Sequence, residues 1–436
     1  MAFSLPGVRV PHRKNTAGID APPIGSIGKT VTIPMSMHIG APAKPVVNIG
    51  DTVKVGTLIA EAGGAVSAPV HASVSGKVAK IVDFLLADGR TVPAVVIESD
   101  GEMTPDETIA PPVVDSRESF IEAVKNSGIV GLGGAGFPTH FKLNADPAKI
   151  EYLIVNGAEC EPYVTSDTLT MENRGDDMKT ALEAVKKWLG VKNIVIGVES
   201  NKKKAIIKMN ELAAAVGAQV KVLPSIYPQG GEKVLICNTT GRVVEAGKLP
   251  IDAGCIVINC TTLAAIGAYL KTGMPLVKKC VTVDGGAVKE PKNVIVPIGV
   301  PMEEVFADCG GFTVDPAKVV YGGPMMGITV PDLSAPITKT TNAILALTEK
   351  EIKTPKTTNC IRCGSCTNTC PFGINPAEIA RAYQKKDAAA LKSLELMSCM
   401  ECGCCSFICP ANRPLVQTNR LATAFLKEEQ AKEAKK

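Results

Sequence analysis

The sequence predicts a multidomain protein of mixed α/β class, and three observations support this prediction. At 436 residues, the chain is long enough for about three domains of ordinary size. Hydrophobic residues make up 45% and charged residues 21%, as in globular proteins, so neither a disordered nor a membrane-spanning chain is favoured. The character of the sequence also changes along its length, from β-rich, through alternating strands and helices, to a cysteine-rich end.

Charge and cysteine usage exclude further classes of function. The 47 basic and 43 acidic residues give a net charge of +4, and aromatic residues make up only 4%, so no nucleic-acid partner is predicted. The first fifteen residues lack the continuous apolar core of a secretory signal. Nine of the 15 cysteines lie between positions 360 and 409, at spacings that suit metal ligation better than disulfides. A cytoplasmic protein is therefore expected.

Residues 28–100 predict a compact all-β module. Short runs such as TVTIP and GKVAKIVDF are separated by turn residues and show no helical periodicity. The stretch from Gly50 and the SGKV from Ser75 resemble the two halves of biotinyl and lipoyl carrier domains, which are barrel-sandwich hybrids. The corresponding turn, GGAVSAPVH, has no lysine to modify, so a structural or docking role is expected. His38 and His71 have no partners at ligand spacing and are expected to be structural.

Alternating helices and strands follow. The amphipathic SRESFIEAVKNSG is expected to begin at a cap near Ser116, while YLIVN, NIVIGVES, QVKVL and CIVIN are typical of buried parallel strands. The pattern indicates a Rossmann-like, doubly wound domain, then a small α+β module, with residues 331–357 as a connecting segment. The predicted boundaries are 1–110 for the β module, 111–250 for the Rossmann-like domain, 251–345 for the end of that domain and the α+β module, 346–420 for the cysteine-rich domain and 421–436 for a charged tail.

The cysteine-rich end carries the most specific chemical signal. CIRCGSCTNTCP from Cys360 and CMECGCCSFICP from Cys399 both have the C-x2-C-x2-C-x3-C-P spacing of two-cluster ferredoxins. Three thiolates on one tight loop can bind one cluster, and the fourth, on the helix that follows, serves the other cluster. A pair of zinc knuckles is the weaker alternative, and Cys404 is predicted to be a spare. The predicted [4Fe–4S] ligand sets are Cys360, Cys363, Cys366 and Cys409 for the first cluster, and Cys370, Cys399, Cys402 and Cys405 for the second.

A glycine-rich loop, GLGGAGFPTHFK, begins at Gly131. It matches G-x-G-x-x-G, but a helix precedes it and Glu151 lies at the start of the next strand, so it differs from an ordinary dinucleotide fingerprint. Glycine-rich backbone with Lys142 nearby is instead a suitable phosphate cradle.

This loop resembles the flavin loop of the NADH-binding, 51-kilodalton-type subunit of respiratory complex I. Three further stretches are similar to motifs of that family and follow in the same order: NGAECEP from Asn156, YPQGGEK from Tyr227 and NCTTL from Asn259. The order of modules over nearly the whole chain resembles the C subunits of the Rnf ion-translocating ferredoxin:NAD oxidoreductases, in which the small α+β module is a β-grasp-like SLBB domain.

The resemblance implies non-covalent FMN, NADH as substrate, and a peripheral subunit docked on membrane partners at the cytoplasmic face, exchanging electrons with ferredoxin through a partner subunit. Glu159 and Glu161 also follow an apolar strand, where ligands bind in doubly wound sheets, and are the candidate catalytic residues. Cys160, Gly231 and Lys233 depart from the complex I pattern. The residues implied to bind cofactor or nucleotide are Gly131, Gly133, Gly134, Gly136, Lys142, Asn156, Tyr227, Gly230, Glu232, Asn259 and Thr262.

These features predict a chain that passes electrons between NADH, FMN and two [4Fe–4S] clusters. NADH delivers a hydride whereas each cluster accepts one electron, and flavin exchanges electrons in both ways. Two other functions stay open. One is a soluble corrinoid (cobalamin) reductase of a diol-utilisation microcompartment, which shares the module order. The other is an electron-conducting scaffold that binds clusters but no flavin.

Overall fold

The amino-terminal module forms two antiparallel sheets in the computed structural model, which describes residues 5–352 and 355–433. One sheet has the order β1-β7-β6-β3 and the other β2-β4-β5, and apolar side chains from both sheets contribute to the main core. The predicted all-β module is confirmed. Its strands are β1 Thr30–Pro34, β2 Lys44–Pro45, β3 Thr52–Val53, β4 Leu58–Glu61, β5 Val70–His71, β6 Gly76–Leu85 and β7 Thr91–Ser99.

The residues before β1 lie outside these two sheets. Val8 forms a bridge with Tyr227, and Pro23 forms one with Ile295, far along the chain. We call residues 5–24 the amino-terminal strap. The sequence assigned them to the β module, because their lack of periodicity gives no sign of which domain they contact.

The central domain is a doubly wound sheet. Its four strands are parallel in the order β10-β9-β8-β11, so the chain reverses direction across the sheet between β8 and β11. Leu153 and Val155 pack into the main core, whereas Ile154 packs on the opposite face against α6. Ser116 caps α1, as predicted. The elements are α1 Arg117–Asn126, α2 Thr139–Leu143, β8 Tyr152–Gly157, α3 Ser166–Asn173, α4 Gly175–Leu189, β9 Asn193–Glu199, α5 Lys203–Val216, β10 Gln219–Leu223, α6 Glu232–Thr240, β11 Cys255–Asn259 and α7 Cys260–Thr272, with 3-10 turns at Pro147–Lys149 and Pro250–Ala253.

The next domain is a five-stranded sheet with the order β13-β12-β16-β14-β15 and one helix. Here the prediction of a connecting segment over 331–357 is wrong in part. Residues 343–347 form the central strand β16, parallel to β12 and antiparallel to β14, and all five are buried. The run AILAL is too short to show a period, which is why it was missed. The elements are β12 Lys278–Asp284, β13 Lys292–Pro297, α8 Met302–Asp308, β14 Lys318–Tyr321, β15 Ile328–Thr329 and β16 Ala343–Leu347.

The cysteine-rich domain is helical, with a small core that includes Ile379, Leu391, Ala422 and Leu426. The tail predicted at 421–436 is the second half of a long helix that packs on this core, and residues 434–436 lie outside the described part. Across residues 5–352 and 355–433, no helix combines the length and apolar character needed to cross a membrane. The helices are α9 Ser365–Asn368, α10 Pro376–Gln384, α11 Ala388–Ser393, α12 Cys404–Phe407 and α13 Leu415–Glu433, with a 3-10 turn at Leu396–Ser398.

Candidate functional site

The glycine loop lies between α1 and α2 and is held against the start of α7. The Leu132 amide donates a hydrogen bond to Thr262 Oγ1 (2.9 Å), and the buried Lys279 donates to the Leu132 carbonyl (3.2 Å). A Cβ at Gly133 would collide with the side-chain amide of Asn259, whereas a Cβ at Gly134 would meet no atom within 4 Å. The loop is therefore fixed at one end and open at its middle.

Gly131 and Gly136 lie at the two ends of the loop. The Gly131 amide donates to the Phe137 carbonyl (2.9 Å), which closes the turn. Gly136 has φ +70° and lies against Thr340, so the turn favours glycine by backbone conformation and by space.

Two asparagines end the neighbouring strands β8 and β11, where Asn156 and Asn259 are register partners. Asn259 caps α7 by accepting from the amides of Thr261 (2.9 Å) and Thr262 (3.1 Å), and its amide group donates to Asp167 Oδ2 (2.7 Å). Asn156 donates to the carbonyl of Gly230 (2.9 Å). Both lie where the strand order reverses, the usual ligand-binding edge of a doubly wound sheet.

Glu159 and Glu161 follow β8 and point to different neighbours. Glu159 accepts from the Asp167 amide (2.7 Å) and Thr168 Oγ1 (2.7 Å) at the start of α3. Glu161 accepts from the amides of Met325 (3.0 Å) and Met326 (2.9 Å) in the five-stranded domain. Burial raises the pKa of both carboxyls, that of Glu161 to about 7. The two carboxylates thus fix the local backbone, a role that the sequence did not predict.

The Tyr227 turn lies beside this loop. Its Tyr227–Pro228 peptide is cis. A Cβ at Gly230 would collide with the Ala158 carbonyl, so glycine allows the turn to approach the loop after β8. Glu232 begins α6 and pairs with Lys142, whose amine lies 2.7 Å from Glu232 Oε1 and 3.0 Å from the Val257 carbonyl.

These contacts bring the predicted glycine loop, both asparagines, Thr262, Tyr227 and the Lys142–Glu232 pair to one edge of the sheet. The open space at Gly134, the helix start at Asn259 and a nearby lysine form a cradle that fits an anionic phosphate group. The side chains of Glu159 and Glu161 diverge from one another and are tied to α3 and to the five-stranded domain.

The two cysteine motifs have nearly the same backbone. Arg362 and Glu401 have φ +57° and +58°, and Gly364 and Gly403, with φ +74° and +82°, each precede a four-residue helix. One cavity is lined by Cys360, Cys363, Cys366 and Cys409, and the other by Cys370, Cys399, Cys402 and Cys405. The structure thus groups the eight thiols as the spacing predicts, with the fourth cysteine of each motif in the other motif's quartet. Thiolates in sets of four are the ligands that [4Fe–4S] clusters require.

Only the second quartet touches the Tyr227 turn within the described residues. Tyr227 Oη donates to the Cys402 carbonyl (2.7 Å), and Cys404 Sγ lies 3.7 Å from the Tyr227 carbonyl. Met400 packs where a Cβ of Gly231 would otherwise lie. The predicted spare, Cys404, lines the same cavity and faces the turn.

Four family models match consecutive parts of the chain. They are the RnfC barrel sandwich hybrid domain over residues 4–102, the Nuo51 FMN-binding domain over 124–268, the SLBB domain over 280–329 and a 4Fe-4S dicluster domain over 356–420. These matches confirm the predicted fold class, with β-grasp-like SLBB as the five-stranded domain, and the predicted cofactor types, FMN and [4Fe–4S] clusters.

Curated relatives match almost end to end. The RnfC-type protein of the Na+-translocating ferredoxin:NAD+ oxidoreductase complex of Acetobacterium woodii is 45% identical over 95% of this chain and 95% of its own length. The chain belongs to the RnfC family. The counterpart from the proton-translocating complex of Clostridium ljungdahlii is 42% identical over 83% of this chain and 80% of its own. The counterpart from the ion-translocating oxidoreductase complex of Rhodobacter capsulatus is 41% identical over 97% of this chain and 82% of its own.

Among solved structures, a chain of the NAD+-reducing [NiFe]-hydrogenase in the H2-reduced state is similar, with a TM-score of 0.48 and 18% identity over 73% of this chain and 63% of that one. Membership of the RnfC family makes the chain a subunit of a redox complex with FMN and iron–sulfur domains, and confirms the predicted multisubunit partners.

The sequence missed several polar residues of the site. Asp167 binds Asn259, and Lys279 binds the glycine loop from the SLBB domain. Lys14 and Lys202 both donate to the carbonyl of Glu159. Asp167 could have been found as an acidic residue in the first turn of a helix, but no local pattern marks the three lysines.

Proposed function

We propose that this chain is the NADH-side subunit of a membrane-bound ferredoxin:NAD oxidoreductase, passing electrons between NADH, FMN and the two [4Fe–4S] clusters. The single observation that carries the proposal is the contact between the Tyr227 turn and the second cysteine motif. Because Tyr227 binds the backbone of Cys402, the flavin edge of the sheet and the second quartet share one buried interface. The names of the relatives from A. woodii and C. ljungdahlii, both ferredoxin:NAD+ oxidoreductases, support the same reaction.

When bound, FMN would supply the step between hydride transfer and single-electron transfer. The protein's part is to hold and orient. We assign the phosphate and ribityl side to the glycine loop, Lys142, Asn259 and Thr262, because amides, a helix start and a cation meet there. We assign the ring and nicotinamide side to the loop after β8 and the Tyr227 turn, including Asn156, Gly230 and Glu232.

The arrangement of the quartets supports an order for the electrons. The second quartet touches the flavin domain, whereas the first faces outward, with Cys363 exposed. Electrons from NADH would thus reach the second quartet first and leave from the first, and flow in the opposite direction would use the same path. We place the subunit peripherally on the cytoplasmic side of the membrane, with ferredoxin reached through a partner subunit.

An anaerobic optical titration tests the proposal. The purified protein, with clusters reconstituted and FMN added, is titrated with NADH, and a matched sample with NADPH. We expect NADH to bleach flavin and cluster absorbance and NADPH to leave both unchanged. FMN that binds but stays oxidised with NADH contradicts the proposal, and failure to bind FMN would favour the electron-conducting scaffold. Full NADH activity in a protein that never copurifies with membranes would favour the corrinoid reductase.

A further inference from the structure

The amino-terminal strap contacts both loops that border the flavin edge. Val8 and Tyr227 exchange two backbone hydrogen bonds (2.7 and 2.9 Å), and the Tyr163 amide donates to the His12 carbonyl (3.0 Å). Tyr163 has φ +69°, an unfavourable conformation that the surroundings must hold. The strap therefore connects the Tyr227 turn to the loop after β8 across domains that are distant in sequence.

Lys14 is the strap residue with the most polar contacts to this loop. Its buried amine donates to the carbonyls of Glu159 (2.9 Å), Glu161 (2.8 Å) and Val164 (2.5 Å). An ammonium has three donors, so these bonds use all of them. Three carbonyls turned toward one amine determine the path of the loop that carries both candidate carboxylates.

The charges around Lys14 are also specific. Its amine lies 4.0 Å from Glu159 Oε2, and among the described residues it is the cation within that distance of this carboxylate. Lys202 binds the Glu159 carbonyl (3.1 Å) but pairs with Glu199 (3.2 Å). The groups facing Lys14 are thus Glu159, Glu199, Lys202 and the Cys160 thiol. Burial without full compensation lowers the pKa of Lys14, and Glu159 opposes that shift.

We propose that Lys14 is a positioning residue of the flavin site, which fixes the loop from Glu159 to Val164 and balances the charge of Glu159. The proposal rests on the proposed function, because it takes this loop to border the flavin ring. Without Lys14, the uncompensated carboxylate would add negative charge where reduction of flavin also adds negative charge.

The test compares holoprotein variants. Lys14→Met removes the charge and keeps the aliphatic stem, Lys14→Arg keeps the charge, and Lys29→Met removes an exposed lysine just beyond the strap. We expect Lys14→Met to weaken FMN binding about tenfold, as for loss of a charged hydrogen bond. We also expect reduced flavin to be weakened about tenfold more than oxidised flavin, a fall of about 30 mV in the two-electron potential. Lys14→Arg should recover most of both effects, and Lys29→Met should match the wild type.

A double-mutant cycle with Glu159→Gln separates charge balance from loop shape. The potential shift from Lys14→Met should largely vanish in the Glu159→Gln background, because that carboxylate is the charge being balanced. An equal shift in both backgrounds overturns the charge-balance role. FMN affinity and potential that match Lys29→Met overturn the whole proposal. If Lys14→Met does not fold, Lys14→Gln replaces it, because it keeps donors without charge.

A second readout keeps this test apart from the proposed function. Amide hydrogen exchange over residues 158–165 should rise in Lys14→Met and stay unchanged in Lys29→Met. If wild-type protein binds FMN but NADH does not reduce it, the proposed function fails, while the exchange, affinity and potential comparisons still decide the role of Lys14.

Discussion

The two cysteine motifs have the same spacing and nearly the same backbone, yet they lie in different surroundings. The second packs against the flavin domain, and Cys402 is only 8% exposed. The first is bordered by exposed apolar side chains, with Ile361 at 67% and Phe407 at 48% exposure, and by Arg362, Arg381 and Arg413. Identical ligand geometry therefore serves two tasks, and the residues around each quartet distinguish an internal from an external electron-transfer site.

The largest expected effect comes from removing a ligand of the internal quartet. In Cys402→Ser, electrons should stop at the flavin, so electron transfer from NADH to an added one-electron acceptor should fall to background. Electron paramagnetic resonance of the NADH-treated protein should show the remaining cluster still oxidised. In Cys363→Ser, the second cluster should still be reduced by NADH.

Cys404→Ser is the matched control, because Cys404 lines the same cavity but is not a predicted ligand. This variant should retain both clusters and full electron transfer. Reduction of the first cluster by NADH in Cys402→Ser would contradict the proposed order.

The next effect concerns the charge of the outward face. Arg413 lines the first cavity, Lys356 is held near it through the contact of its carbonyl with Asn412, and neither has an ion pair within the described residues. In Lys356→Glu/Arg413→Glu, electron transfer to an acidic one-electron carrier such as a plant-type ferredoxin should slow about tenfold at low salt. The difference should shrink as salt rises. A rate that is independent of both charge and salt would show that the acidic carrier does not dock on this face.

A smaller effect concerns pH and the buried side of the junction. Burial raises the pKa of Glu161 from 4.5 in the unfolded chain to about 7 in the folded one, with Lys14 as its nearby cation. The native state then binds more protons between these values, so this group stabilises the fold below pH 4.5, and its contribution is lost as the pH rises through 7. The loss is up to about 3 kcal/mol. Glu161→Gln should flatten the change in melting temperature between pH 5 and pH 7.5, and an unchanged profile would contradict this.

The smallest effect concerns the bond that joins the flavin domain to the second motif. Tyr227→Phe removes the hydrogen bond to the Cys402 carbonyl and should cost about 1 kcal/mol, seen as earlier thermal loss of cluster absorbance. Tyr383→Phe is the control, since the Tyr383 hydroxyl makes no hydrogen bond within the described residues. Equal losses in both variants would show that the Tyr227 bond contributes nothing specific.

Much of this architecture follows from local pattern. Apolar runs gave the four parallel strands, and cysteine spacing gave both quartets, because each signal lies within a few consecutive residues. The order of the family-like motifs predicted the FMN and cluster domains before any contact was known. The cap at Ser116 was likewise readable from the sequence alone.

Long-range contacts were not readable in this way. The partners of Glu161 lie in another domain, and Lys14 reaches its carbonyls across about 150 residues of chain. Strand β16 was missed because its pairing with β12 and β14 defines it more than its five-residue sequence does. Contacts that depend on tertiary pairing leave no periodic pattern along the chain.

The central position of β16 also has a consequence for biosynthesis. Its partners β12 and β14 can be joined only after residue 347 has been synthesised, immediately before the first cysteine motif. The SLBB sheet should thus close on the ribosome just as the cluster-binding segment begins to emerge. The iron–sulfur assembly machinery would then meet a chain whose strap, β module and flavin domain have all been made, so the surface that covers the second cluster already exists when that cluster is inserted.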